Sequence, residues 1–169
     1  MNTFTGSYSE FGTYLAQKLI ERNHSFNTHV NWRTLNKQLK IYQKFWPELI
    51  EESKAVAKIV NLPEDEILYD EIAGTIDNQR SHVVAAHDAV SEACTIFTIH
   101  ENGKTFVGRN YDWDSSARDY FQVYQINLIG KNRYFAFSDE GTYPRHHGRR
   151  TWKLYMEDAI NEQGLYIGL

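Results

Sequence analysis

The amino-acid sequence predicts an α+β domain, in which a helical first half is followed by antiparallel strands. Apolar residues recur at helical spacing as far as Gly74, and β-rich runs separated by turn residues begin at Cys94. Helices that precede strands, and do not alternate with them, are typical of the α+β class. The length of 169 residues corresponds to about one domain.

Four helices are predicted in the first half. The first covers Glu10–Arg22 and the second Trp32–Phe45, each with apolar residues three or four positions apart. Pro47 suits the first turn of a third helix, and Pro63 opens a fourth that ends at Gly74. The apolar positions expected to face the core are Phe11, Leu15, Leu19, Ile20, Trp32, Leu35, Leu39, Tyr42, Phe45, Leu49, Val56, Ile59, Val60, Ile67, Leu68 and Ile72.

Strands are predicted only in the second half. Residues 77–92 have weak periodicity and are interpreted as a connecting segment. The β-rich runs after it are Cys94–His100, Thr105–Arg109, Phe121–Ile129, Arg133–Phe137 and Gly164–Leu169. Asn102-Gly103 lies between the first two runs, and this dipeptide is a strong signal for a two-residue hairpin turn. Cys94 is therefore expected at the start of the first strand.

Charge and composition narrow the classes of function. Eighteen basic and 22 acidic residues give a net charge of −4, which argues against nucleic acid as the main partner. The whole excess of negative charge falls in residues 1–93, since residues 94–169 carry nine charges of each sign. No apolar run is long enough to span a membrane, and no secretory signal opens the chain, so a cytoplasmic location is expected. The single cysteine excludes an internal disulfide and an all-cysteine zinc site.

Cys94 is the candidate nucleophile. The predicted hairpin returns the chain beside it, which brings Arg109 and Asp112 near the thiol. A nearby cation lowers the pKa of a thiol from its free value of about 8.5. The alternatives are that Cys94 is a small buried hydrophobe and that Arg109 and Asp112 form a surface ion pair at the end of a strand.

These residues resemble a known family. Ala93-Cys94-Thr95, a hairpin, and then Gly108-Arg109-Asn110-Tyr111-Asp112-Trp113 are similar to the cysteine-type N-terminal nucleophile hydrolases. That group includes choloylglycine hydrolases, penicillin V acylases, acid ceramidase-like amidases and acyl-coenzyme A:6-aminopenicillanic acid acyltransferases. In the first half, Gly6–Gly12 and the Trp46-Pro47 helix start resemble the acyltransferase precursors. The resemblance covers essentially the whole chain.

The resemblance implies a fold, a maturation step and a set of catalytic residues. The fold would be the αββα sandwich of that family, and a helical prosegment of residues 1–93 would be cut from a catalytic portion at Ala93-Cys94. Cys94 would be the nucleophile and its new α-amine the base, with Asp112 orienting the amine and Arg109 holding the thiolate. The substrate would be a linear amide or an acyl thioester, without a metal or bound cofactor. A homo-oligomer stays possible under this resemblance.

Three features depart from the family pattern. Alanine and not glycine precedes Cys94, and Arg109 is not kept in every acyltransferase branch. Asn161–Leu165 resembles the family's Asn-Glu-X-Gly-Leu strand entry, but the asparagine that helps to stabilise the oxyanion is expected beyond Leu169. We therefore expect residues 94–169 to be only the first part of a catalytic domain. The second hypothesis is a truncated, uncleaved and non-catalytic domain of the same ancestry that acts in association or binding.

Several other polar or aromatic residues have both a functional and an ordinary interpretation. Tyr111, Trp113 and Trp152 could line an acyl pocket or pack as core or rim aromatics. His82 and His87 could assist self-cleavage, although ordinary loop histidines are the favoured interpretation. The basic cluster could bind a phosphate or a metal ion, or contact a substrate's carboxylate or a coenzyme, although a solvated loop is favoured there; its members are Arg145, His146, His147, Arg149 and Arg150.

Overall fold

The computed structural model describes most of the chain, and it confirms the α+β class. The described residues are 1–24, 26, 29–72, 93–112, 121–139, 143–145, 149–151 and 155–168. The helices found in them are α1 (Tyr8–Glu21), α2 (Trp32–Phe45), α3 (Pro47–Val60) and α4 (Glu64–Ile72). The strands are β1 (Asn2–Gly6), β2 (Ala93–Glu101), β3 (Lys104–Asp112), β4 (Phe121–Leu128), β5 (Tyr134–Asp139), β6 (Tyr143–Arg145), β7 (Arg149–Thr151), β8 (Tyr155–Asn161) and β9 (Tyr166–Gly168).

The four predicted helices are present, and local signals explain where they begin. Ser7 caps α1 in a capping box: its Oγ accepts a hydrogen bond from the backbone N–H of Glu10, and the Glu10 carboxylate accepts one from the backbone N–H of Ser7. The Asn31 side chain accepts a hydrogen bond from the backbone N–H of Thr34 at the start of α2. Pro47 occupies the first turn of α3, where its missing N–H costs no helical hydrogen bond. The predicted end of α4 at Gly74 and the connecting segment 77–92 lie outside the described residues.

Five strands form a mixed sheet in the order β1-β4-β5-β8-β9. β1 runs parallel to β4, and the other neighbours are antiparallel. The expectation that strands appear only after the helices was wrong, because β1 precedes α1 and lies at one edge of this sheet. The strand Asn2–Gly6 is short and its partner Tyr124–Leu128 is more than a hundred residues away, so nothing local in the sequence marks it.

The predicted Asn-Gly hairpin is confirmed. β2 and β3 pair antiparallel from Ala93 opposite Asp112 to Glu101 opposite Lys104. The backbone φ angle is 51° at Asn102 and 72° at Gly103, which fits a turn that needs positive φ at both central residues. We call this two-stranded unit the β2-β3 ribbon. It starts one residue earlier than predicted, so Cys94 is the second residue of its strand.

Helices α1, α3 and α4 share an apolar core, and α1 also covers one face of the sheet. Phe11 of α1 is buried with Tyr124, Ile126 and Leu128 of β4. The core between the helices consists of Ala16, Leu19, Val56, Ala57 and Ile67. Because β1 and α1 pack on strands from residues 121–168, the two predicted segments, 1–93 and 94–169, share one core.

Four apolar residues predicted for the core are exposed: Ile20, Trp32, Phe45 and Ile59. The reason is clearest for α2, which packs on its neighbours through a narrow stripe only. Leu35 is buried against Leu68 and Tyr69 of α4, and Leu39 and Tyr42 pack beside it. The two ends of the stripe therefore project past the helices that would cover them. No helix among the described residues is both long enough and apolar enough to cross a bilayer.

Candidate functional site

The register of the β2-β3 ribbon brings the predicted catalytic positions together. Cys94 pairs with Tyr111, and two residues further along the same face Ile96 pairs with Arg109. Diagonal neighbours of this kind have Cβ atoms about 7–8 Å apart. Ala93, the residue before the proposed cut, pairs directly with Asp112. Cys94 and Arg109 therefore share one face of the ribbon, and Asp112 occupies the other face beside the Ala93-Cys94 bond.

Arg109 is held by a carboxylate from a distant strand. Its Nη1 donates a hydrogen bond to Oδ2 of Asp158 on β8, and each side chain is only 10% exposed. Arg109 thus has a buried partner in Asp158, while the suggested ion pair with Asp112 involves a side chain that lies outside what the structure describes. A buried charge needs a partner of opposite sign, since an unpaired one costs several kcal/mol. Asp158 therefore fixes the position of the Arg109 guanidinium.

Tyr166 completes this cluster from the neighbouring strand β9. Its hydroxyl donates a hydrogen bond to the other carboxylate oxygen, Oδ1 of Asp158. Burial, and then this hydrogen bond, raises the pKa of Tyr166 to about 12, so the hydroxyl keeps its proton at neutral pH. We refer to Arg109, Asp158 and Tyr166 as the Arg-Asp-Tyr cluster. The Asp158 carboxylate accepts both hydrogen bonds of this cluster, one donated by Arg109 and one by Tyr166.

Two glycines allow close approaches, Gly168 between the sheet and the ribbon and Gly108 within the ribbon itself. A Cβ on Gly168 of β9 would lie 2.6 Å from Oδ1 of Asp158 and 3.0 Å from Cδ1 of Ile96, so the ribbon packs directly over it. Gly108 lies opposite Phe97, and its Cβ would lie 2.8 Å or less from three atoms of that ring. The glycine of the Gly-Arg-Asn motif thus has a packing role, which is to leave room for the Phe97 ring.

Several of the predicted site residues fall outside what the structure describes. Trp113, Trp152, His82 and His87 lie outside the described residues, as do His146 and His147. For Cys94, Tyr111 and Asp112 the structure describes the backbone and its pairing only. Within the described part of the chain, no group of three or more His, Cys, Asp or Glu side chains is arranged to hold a metal ion.

Comparison with known proteins adds no family assignment. No family model matches this chain, and no curated protein matches it.

Sequence reasoning missed Asp158 and Tyr166. Asp158 lies in β8 (Tyr155–Asn161), which is not among the strands predicted from the sequence. Tyr166 was placed in a β-type run but given no role. The sequence carries no signal for the role of either residue, since both contacts arise only where the ribbon packs on the sheet.

Proposed function

We propose that this chain is a self-cleaving precursor of a cysteine N-terminal nucleophile amidase or acyltransferase. The observation that carries the proposal is the ribbon register, in which Cys94 neighbours Arg109 on one face while Asp112 pairs with Ala93. This is the arrangement that the family resemblance requires of its nucleophile, its cation and its acid. The finer fold, an αββα sandwich, and a cytoplasmic location belong to the same proposal.

Maturation begins with attack of the Cys94 thiol on the carbonyl carbon of Ala93. The peptide C–N bond breaks, the nitrogen takes up a proton, and Ala93 becomes a thioester on Cys94. Water then hydrolyses this thioester, which releases the carboxylate of Ala93 and leaves Cys94 with a free thiol and a free α-amine. Asp112 supports this step because its backbone lies across from Ala93, beside the nitrogen that becomes the amine.

Turnover uses the two functional groups of the new N-terminus. The α-amine has an ordinary pKa of about 7.7–8.0, so near neutral pH it can take the proton of the thiol. The thiolate attacks the carbonyl carbon of a linear amide or an acyl thioester, and the amine or thiol leaves with the proton that the α-amine held. The acyl-enzyme then passes its acyl group to water or to an amine acceptor.

The Arg-Asp-Tyr cluster supports this chemistry by fixing the cation. A guanidinium beside a thiol stabilises the thiolate by charge, and the benefit depends on a fixed distance. Asp158 and Tyr166 are therefore positioning residues, acting on Cys94 through Arg109. The two pieces produced by the cut are expected to stay associated, because β1 and α1 pack against strands of the second piece.

Intact-mass spectrometry of the full gene product tests the proposal. We expect a break between Ala93 and Cys94 that appears on incubation, with both pieces in one peak on size-exclusion chromatography. Cys94→Ala is expected to abolish both cleavage and amidase activity, and Asp112→Asn to slow cleavage without unfolding the protein. His100→Ala is the matched control, since His100 lies on the same strand, is exposed and forms a hydrogen bond with Thr105 across the ribbon. A wild-type chain that stays uncut, or a Cys94→Ala variant that still turns over, contradicts the proposal.

One observation favours the second candidate function, an uncleaved domain that acts in association or binding. Asp158 neutralises the charge of Arg109, and a neutralised cation lowers the pKa of a neighbouring thiol less than a lone one does. In that case the Arg-Asp-Tyr cluster serves only to join the ribbon to the sheet. Alkylation of Cys94 with iodoacetamide over a range of pH distinguishes the two candidates. An ordinary thiol pKa together with an uncut chain favours the binding domain.

A further inference from the structure

Helix α2 carries a row of exposed cations. Arg33, Lys37, Lys40 and Lys44 are spaced by three or four residues, so they lie on one face of the helix, and all four are exposed. This face is opposite the stripe of Leu35 and its neighbours that packs on α3 and α4. The row is therefore directed away from the body of the protein.

The charge of this row is not compensated nearby. The α2 sequence contains no acidic residue, and the chain has none between Glu21 and Glu48. Among the described residues, none of the four cations forms an ion pair. The helix thus has a local charge of +4 in a chain whose net charge is −4. A separation of charge of this kind directs an anionic partner to one face of the protein.

Large apolar side chains stand beside the cations and are open to solvent. Ile41 and Phe45 are one helical turn apart and are 50% and 72% exposed, and Trp46 follows at 45%. The Lys44 ammonium lies 5.0 Å from the centre of the Phe45 ring, so charge and apolar surface are in contact. Ile41, Phe45 and the cation row form what we call the α2 outer surface.

We propose that the α2 outer surface docks onto the surface of an anionic lipid bilayer. Lysine and arginine attract anionic headgroups, while exposed Phe and Ile side chains enter the boundary between headgroups and acyl chains. A nucleic acid would use the cations and leave Phe45 and Ile41 in water. An acidic protein segment would likewise need an apolar partner surface of its own to cover them. The mixture of cations and open apolar side chains on one helix therefore fits a bilayer best, and the protein binds it without crossing it.

Vesicle sedimentation tests the proposal with the intact protein. We expect partitioning onto vesicles of phosphatidylcholine mixed with phosphatidylserine, much less onto phosphatidylcholine alone, and a decrease as salt is raised. Replacing Lys37, Lys40 and Lys44 together by Gln should weaken binding by about 100-fold, since each cation contributes about 1 kcal/mol near such a surface. Replacing Ile41 and Phe45 by Ser should weaken binding about tenfold or more while the salt dependence stays the same.

A matched control exists on α3. Lys54, Lys58 and Ile59 are also exposed, and the variant Lys54→Gln, Lys58→Gln, Ile59→Ser should bind vesicles as the wild type does. Circular dichroism verifies that each variant is folded. Equal binding by the wild type and the α2 lysine variant overturns the proposal, and so does equal binding to vesicles with and without phosphatidylserine. Binding to poly-glutamate in place of the anionic vesicles also overturns it, because the partner would then be an acidic polypeptide.

Discussion

Arg109 of β3 donates a hydrogen bond to Asp158 of β8, a residue 49 positions further along the chain. This bond joins the β2-β3 ribbon to the five-stranded sheet, and Tyr166 holds the same carboxylate from β9. In the register of the ribbon, Arg109 is a diagonal neighbour of Cys94 on the same face. The strength of the Arg109–Asp158 interaction therefore affects the attachment of the ribbon to the sheet and the position of the cation proposed to stabilise the Cys94 thiolate.

Asp158→Ala is expected to destabilise the fold strongly. The substitution leaves the Arg109 guanidinium buried without its carboxylate, and breaking a buried pair in this way costs about 3–5 kcal/mol. Urea unfolding followed by circular dichroism measures the free energy of unfolding. Glu162→Ala is the control, because the Arg133–Glu162 pair is 48% and 38% exposed and contributes about 1 kcal/mol or less. Equal losses in the two variants would show that Arg109 and Asp158 are solvated in solution.

Tyr166→Phe is expected to cost less, about 1.5–3 kcal/mol, because it removes a single hydrogen bond to a charged acceptor and keeps the ring. The double variant Tyr166→Phe, Asp158→Ala measures the energetic coupling between these two side chains. We expect Tyr166→Phe to have almost no effect once Asp158 is absent, since the hydroxyl then has no carboxylate to bind. Tyr42→Phe serves as the control, because Tyr42 is half-buried and the centre of its ring lies 6.4 Å from that of Trp46, away from the cluster. If Tyr166→Phe lowers the free energy of unfolding as much in the Asp158→Ala protein as in the wild type, the effect comes from the surroundings of the ring and not from the hydrogen bond to Asp158.

Gly168→Ala is expected to separate the ribbon from the sheet. The added methyl would lie 2.6 Å from Oδ1 of Asp158 and 2.5 Å from the Tyr166 hydroxyl, so the cluster has to move. Overpacking of this kind costs about 1–3 kcal/mol. Ile167→Ala, at the neighbouring and 62% exposed position, should change the free energy of unfolding by less than about 0.5 kcal/mol. Hydrogen exchange of the β2-β3 amides should become faster in Gly168→Ala alone, and unchanged exchange would contradict the close packing.

The sequence allowed the local parts of this molecule to be predicted, because their causes are local. Asn102-Gly103 determines its own turn, and Pro47 determines where α3 begins. The same turn also determines the register, so the neighbourhood of Cys94 and Arg109 followed from the hairpin. The carboxylate that holds Arg109 could not be predicted in this way. Asp158 reaches it only through the packing of a ribbon on a sheet, and no residue spacing encodes that contact.

Burial was harder to predict than helix position for a related reason. A stripe of apolar residues marks the face of a helix, but the length of the neighbouring helices decides how much of the stripe is covered. Leu35 is covered by α4, whereas Trp32 and Phe45 lie beyond its reach. Strand β1 could not be predicted for a different reason. Its local sequence signal is weak, and the strand is stabilised by pairing with the distant strand β4.

Glu52 is a buried carboxyl in the helical layer, and it predicts how stability depends on pH. It lies on α3 and is 8% exposed; α1 approaches its backbone at Gly12. Burial, and then the negative charge of Glu71, raises the pKa of Glu52 to about 8. In the unfolded chain the same carboxyl has the ordinary value of 4.5. The folded protein therefore keeps a proton on Glu52 over a range of pH in which the unfolded chain has lost it.

The sign of the dependence follows from that difference. Between about pH 4.5 and pH 8 the folded state binds more protons than the unfolded state, so the free energy of unfolding falls as pH rises. At 1.36 kcal/mol per unit the loss from this group is about 3–5 kcal/mol. Glu52→Gln keeps the shape without a titrating proton, so its stability should exceed that of the wild type increasingly from pH 5 to pH 8. Urea unfolding of both proteins across this range measures the difference, in which all other titrating groups cancel. Parallel curves would mean that Glu52 is solvated and ionised in the folded protein, and that α3 packs less closely on α1 at this residue.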